Sequence, residues 1–273
     1  MLSFCVQQHP RPMRKLLTLS CLFALPGLAL AQAPRIVLQG TGQPLLFTDL
    51  GDALAAAQAD DVLYLSGGSF NLQGGTVINT PVHLVGAGLH PDSTNVTGTT
   101  TISMTGSPDP LVITTAASGS SFTGIRFDHS VNSLTVIKYG VSIANDDPQD
   151  VLFQRCQFEQ NVDLGASSIE TEASTSSSTV DECIFHRTLN GYGGSAVITR
   201  CIFDFDPGSG APINFFRPTG LVLEHSVVLG GYVANSPTAL VRNCVLTQTT
   251  LGGPVWQSNN ATVQNCLITS DAV

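Results

Sequence analysis

Apolar and polar residues recur in one short phrase along the chain. Val241-Arg242-Asn243-Cys244-Val245-Leu246 and Val263-Gln264-Asn265-Cys266-Leu267-Ile268 show it most cleanly: an aliphatic residue, two polar ones, a cysteine, a fifth residue, then another apolar one. Upstream the same pattern reads Phe122-x-x-Ile125-x-Phe127, Phe153-x-x-Cys156-x-Phe158, Val180-x-x-Cys183-x-Phe185, Ile198-x-x-Cys201-x-Phe203 and Leu223-x-x-Ser226-x-Val228. The fourth position falls at residues 125, 156, 183, 201, 226, 244 and 266, at spacings of 18 to 31 residues. Self-similarity on that scale predicts stacked repeats rather than one folded-over core.

Positions four and six share one face of a strand, whereas positions one and four of a straight strand would lie on opposite faces. All three are apolar, so the chain is expected to bend between them. One residue in the left-handed region makes such a bend, most easily Gly or Asn, with Asp and His next. The third position holds Gly124, Arg155, Glu182, Arg200, His225, Asn243 and Asn265, of which four suit the bend and three do not. Strands joined by one-residue corners, with each repeat pairing with the next at about 4.8 Å, predict an all-β parallel β-helix.

These phrases, with asparagine corners followed by inward residues such as Cys244 and Leu246, resemble the single-stranded right-handed parallel β-helix of the pectate-lyase-like superfamily. The resemblance spans roughly residues 45 to 270. It includes Asp60-Asp61-Val62-Leu63-Tyr64-Leu65 as an opening coil and Pro81 to Gly88, an aliphatic strand ending in Gly-x-Gly, as a second. Asp60 stands where that family usually has glycine. Thr48 or Asp49 is placed to cap an amphipathic helix running to about Ala59, the expected cover for the first coil.

The first 31 residues read as a secretory signal. Arg14 and Lys15 precede an apolar run from Leu16 to Leu30, and Ala29-Leu30-Ala31 offers the small-residue cleavage site. Residues 32–273 then form one β-helix domain, expected to be secreted or held in the cell envelope. It ends five residues after its last phrase, which predicts a truncated sequence, self-association or a distorted final coil. No later stretch is long and apolar enough to cross a bilayer as a helix. Beyond residue 33, 8 basic and 20 acidic residues leave a net charge of −12. That balance argues against nucleic acid as a partner and would repel a polyanion unless cations bridged the two.

Five cysteines follow the signal, Cys156, Cys183, Cys201, Cys244 and Cys266, all at position four. Parallel strands about 4.8 Å apart hold stacked Cβ atoms just beyond the usual disulfide separation of roughly 3.5–4.5 Å. They are therefore expected as a buried ladder of free thiols. Position five should face outward, yet after Arg126 and Gln157 it reads Ile184, Ile202, Val227, Val245 and Leu267. This predicts an outer apolar stripe that a covering segment, a partner or a second copy would meet.

Candidate chemistry is sparse. The resemblance implies a polysaccharide ligand and, in the family's lyases, an arginine base with calcium bridging acidic residues to a uronate. Arg217, in Arg217-Pro218-Thr219-Gly220, is the candidate base, with Asp204 and Asp206 as neighbouring acids. Asp146, Asp147 and Asp150 are the calcium candidates, against the alternative of a solvated acidic turn. Asn161-Val162-Asp163 matches a polygalacturonase motif only in isolation, because no Gly-His-Gly or Arg-x-Lys accompanies it. Short repeats leave little length for loops, so any groove should be shallow. Two readings stand: a secreted β-helix that binds or cleaves a polysaccharide, and a non-catalytic structural or adhesion solenoid.

Overall fold

The computed structural model describes residues 33–89, 98–130, 135–140, 147–165, 174–204, 212–216, 218–229, 233–234, 239–248 and 261–270. Residues 1–31, which the sequence reads as a secretory signal, lie outside them. Pro34–Val273 forms one compact unit, mostly β, with one α-helix among the described residues.

The seven phrases build two of three parallel ladders. In the first ladder the strand before the corner pairs with its counterpart in the next repeat. Ser121–Thr123, Val151–Gln154, Ser174–Asp181, the end of Leu189–Thr199, Gly220–Glu224, Ala239–Arg242 and Thr262–Gln264 follow one another. In the second the strand after the corner does the same, from Gly68–Gln73 and Thr100–Thr105 through Ile125–His129, Gln157–Phe158, Ile184–Phe185, Ile202–Asp204, Val227–Leu229 and Val245–Gln248 to Leu267–Ser270. A third ladder runs through Val77–Ile78, Leu111–Ile113, Thr135–Tyr139, Asn161–Leu164, the start of Leu189–Thr199, Ile213–Phe216 and Val233–Ala234. Leu189–Thr199 belongs to both the first and third ladders and so joins seventeen strands into one sheet, while the second ladder is a sheet of nine.

The corner is the same at every phrase. Gly124, Arg155, Glu182, Arg200, His225, Asn243 and Asn265 all have φ between 50° and 67°. Arginine and glutamate thus take the conformation that residue type alone would deny them, at about 1–2 kcal/mol each. The stack imposes it: the corner N–H donates to the position-two carbonyl of the next repeat, as from Arg155 to Asp181 at 2.9 Å and from Glu182 to Thr199 at 3.0 Å.

Inside, position six stacks rings. Phe127, Phe158, Phe185 and Phe203 succeed one another at centroid distances of 5.4, 4.8 and 4.8 Å, and all are buried. Val228 and Leu246, both buried, and Ile268, which is exposed, continue the column in register. Gly191 is required where it stands, since a Cβ there would lie 2.2 Å from the buried Phe215 ring.

Helix α1 spans Leu50–Ala56 and is shorter than its sequence suggests. Asp49 caps it, accepting from the Asp52 N–H at 2.9 Å, and Leu50 and Ala53 enter the core. Ala57 is already extended, and the Gln58 N–H is taken by the Asp61 carboxylate at 2.8 Å. The left-handed Asp60 (φ 65°) then turns the chain into its strand.

Candidate functional site

Position four proves to be more than inert filling. Each thiol donates to the position-two carbonyl of its own repeat: Cys156 to Gln154 at 3.4 Å, Cys183 to Asp181 at 3.3 Å, Cys201 to Thr199 at 3.2 Å, Cys244 to Arg242 at 3.2 Å and Cys266 to Gln264 at 3.2 Å. Cys183 Sγ also accepts from the position-four N–H before it, that of Cys156, at 3.4 Å. Ser226 does both with its hydroxyl, donating to Glu224 at 2.8 Å and accepting from the Cys201 N–H at 3.1 Å. A small side chain that packs as a hydrophobe yet serves as weak donor and acceptor fits a bend whose backbone groups need partners. All five thiols are free, and burial pushes those of Cys183, Cys201 and Cys244 up, so they are held protonated and unreactive.

The candidate acids and base are described only in part. Arg217, Asp206 and Asp146 lie outside the described residues. Asp204 is exposed on the outer face of the second ladder, 3.7 Å from His186. Asp147 is buried, its carbonyl accepting from Thr115, whereas Asp150 is exposed at a left-handed turn (φ 56°) and bonded to the Ser177 hydroxyl at 3.1 Å. Among the described residues no group of three or more His, Cys, Asp or Glu is placed to hold a metal ion.

A groove of about 760 Å³ lies over the corners, lined by Gly86, Gly88, Gly124, Arg155, Glu182 and Ile184 among others. Its charges are already spent on each other, with Arg155 Nε 2.7 Å from Glu182. Its glycines are packed together, since a Cβ on Gly86 would sit 2.5 Å from the Gly124 carbonyl. The groove is therefore a consequence of tight corners.

The outer face of the third ladder is different. Lys138, Asp163, Asn190 and Asn214 stand opposite one another on successive strands, all partly exposed. Asn190 Nδ2 donates to Asp163 at 2.7 Å, Thr135 to the other oxygen at 3.2 Å, and Asn214 Nδ2 to Asn190 at 3.4 Å. Tyr192, two residues beyond Asn190 on the same face, completes the set. Burial pushes the Asp163 carboxyl up, outweighing the hydrogen bonds from Asn190 and Thr135 and the charge of Lys138. Burial and the Asp163 charge push the Tyr192 phenol up as well. An asparagine at 163 would extend the amide column without this cost, which makes the desolvated carboxyl on this outward face the candidate site among the described residues.

The outer apolar column also exists as a geometric fact. Ile184, Ile202, Val227, Val245 and Leu267 pair in register on consecutive strands, with Ile202 43% and Leu267 60% exposed. No helix among the described residues is long and apolar enough to cross a membrane. Compared with known proteins, the chain matches no family model, no curated protein and no solved structure.

Proposed function

We propose that the chain is a right-handed parallel β-helix resembling the pectate-lyase-like superfamily, exported by its signal, that binds an extracellular polysaccharide across the third-ladder face. The observation that carries this reading is the Asp163 carboxyl, partly desolvated at the centre of an in-register polar column. Lys138, the amides of Asn190 and Asn214 and the carboxylate offer donors and acceptors about 4.8 Å apart along the stack. Tyr192 adds an aromatic surface with a polar tip. An extended glycan presents hydroxyls to such a row. Glycoside hydrolysis takes two carboxyls flanking one bond, and among the described residues Asp163 is the one carboxyl in this column, so the face suits binding rather than cleavage. The net charge of −12 favours a neutral glycan over a polyuronate.

The test is titration calorimetry against a panel of neutral and uronate polysaccharides. Asp163→Asn and Tyr192→Ala should each weaken binding by about tenfold, the loss of one hydrogen bond to a charged group or one stacking surface. Because the folded carboxyl titrates above its unfolded value, the protonated form is favoured by folding. Its contribution is present below the unfolded pKa and is lost as pH rises through the folded one. Asp163→Asn should therefore melt higher than the parent at neutral pH, which separates lost binding from lost folding. Absence of binding to every glycan, or unchanged binding in both variants, would sink the reading. Calcium-dependent release of unsaturated products would replace it with a lyase.

A further inference from the structure

Positions five and seven both face outward on the second ladder, and the two columns change character along the stack. Column five runs Ser69, Thr101, Arg126 and Gln157, then Ile184, Ile202, Val227, Val245 and Leu267. Column seven carries Glu159, the His186 and Asp204 pair, and then Leu229, Thr247 and Thr269. From Val227 onward neither column holds a charged residue.

We propose that this face is where a second copy of the chain docks. Two copies carrying −12 each repel one another over most of their surfaces, and the aliphatic rungs, where His186 and Asp204 are paired with each other and no charged residue follows in either column, are where they approach with the least of that penalty. The face is also self-complementary. A two-fold axis at Val227 lays five aliphatic rungs against their own copies in reverse order, sheet on sheet about 10 Å apart. The polar half of the face, with Arg126 of column five and Glu159 of column seven ion-paired at 2.9 Å, falls outside that overlap. An anionic membrane is disfavoured by the same net charge. Five rungs at about 4.8 Å make a strip about 20 Å long, less than the roughly 800 Å² per partner of a stable complex, so the dimer is weak and its dissociation constant micromolar or above.

Sedimentation velocity from about 1 µM to about 1 mM tests this. The weight-average mass should climb toward twice the monomer's, and added salt should strengthen the association by screening the net repulsion. Ile202→Glu with Leu267→Glu should weaken association at least tenfold, and so should Thr247→Glu, which adds a charge without removing an aliphatic side chain. Ser69→Glu, in the same column but on its polar half, should leave it unchanged. Far-ultraviolet circular dichroism and the melting temperature establish that each variant is folded. A monomer at every concentration, a dimer indifferent to both charge insertions, or a monomer that instead binds phosphatidylcholine vesicles would overturn the proposal.

Discussion

The repeats from Phe153 to Phe203 and those from Leu223 to Ile268 share one backbone and solve its problems differently. In the first set the inward sixth position is a continuous stack of phenylalanines, and the corners are Arg155, Glu182 and Arg200. Glu182 reaches both arginines, at 2.7 Å and 3.3 Å, and Arg200 also bonds Asp181. In the second set the sixth position is aliphatic, and the corners are His225, Asn243 and Asn265, where a left-handed turn costs less. A repeat stack need not solve its strain the same way throughout. Where the corner residue is poorly suited, ion pairs between neighbouring corners offset it, and where it is well suited the corner contact is an amide to an imidazole, Asn243 to His225 at 3.2 Å, with the ion pair moved to position two, Arg242 to Glu224 at 2.6 Å.

The largest expected difference lies in the core. Phe185 has a ring on either side at 4.8 Å, so Phe185→Ala should cost about 3–5 kcal/mol in denaturant unfolding. Leu246→Ala, in the aliphatic continuation, should fall nearer the lower end of the 2–5 kcal/mol range for such truncations. Because each repeat contacts mainly its neighbours, amide exchange should open the second set before the first. Equal protection across both would break the comparison.

Acid should narrow the gap. Burial works to raise the Asp181 carboxyl, but hydrogen bonds from Thr199, Gln154 and Arg200 outweigh it and hold it below the usual carboxylate range. A lowered folded pKa gives stability that is present above the unfolded value of about 3.9 and lost as pH falls through the folded one. Asp181→Asn should therefore cost about 1 kcal/mol at pH 7 and nothing below the folded pKa. A penalty independent of pH would assign Asp181 a packing role alone.

The phrase made the repeat, the buried sixth position and the outward fifth legible from sequence, because a strand's period of two leaves little freedom once the corner is placed. The left-handed turns at Arg155, Glu182 and Arg200 were legible from the phrase but not from residue type. Residue preference there is worth one or two kcal/mol, and backbone bonds to the next repeat override it. The early end of α1 has the same cause, since Asp61 takes the Gln58 N–H and starts a strand where helical propensity would continue. The third ladder was hidden by variable spacing: Val162 and Leu189 follow their position-four residues by six, Ile213 by twelve. Without that register Asp163 read as an isolated motif match, and its alignment with Lys138 and Asn190 could not be seen.

The smallest effects test the corner argument most directly. Arg155→Gly relieves a left-handed arginine but loses the exposed Glu182 pair and loosens the unfolded chain, which oppose that gain. At low salt the net change should be small and on the destabilising side. Asn243→Gly has little strain to relieve and loses the contact with His225 at 3.2 Å, so it should destabilise by a few tenths of a kcal/mol. Salt separates the two. Screening removes what Arg155 gains from Glu182, which moves Arg155→Gly toward stabilising, while Asn243→Gly has no ion pair to lose and should not move. If Arg155→Gly instead stays destabilising in high salt, the stem of the arginine rather than its charge holds the corner, and the upstream turns are kept by packing as the downstream ones are kept by residue type.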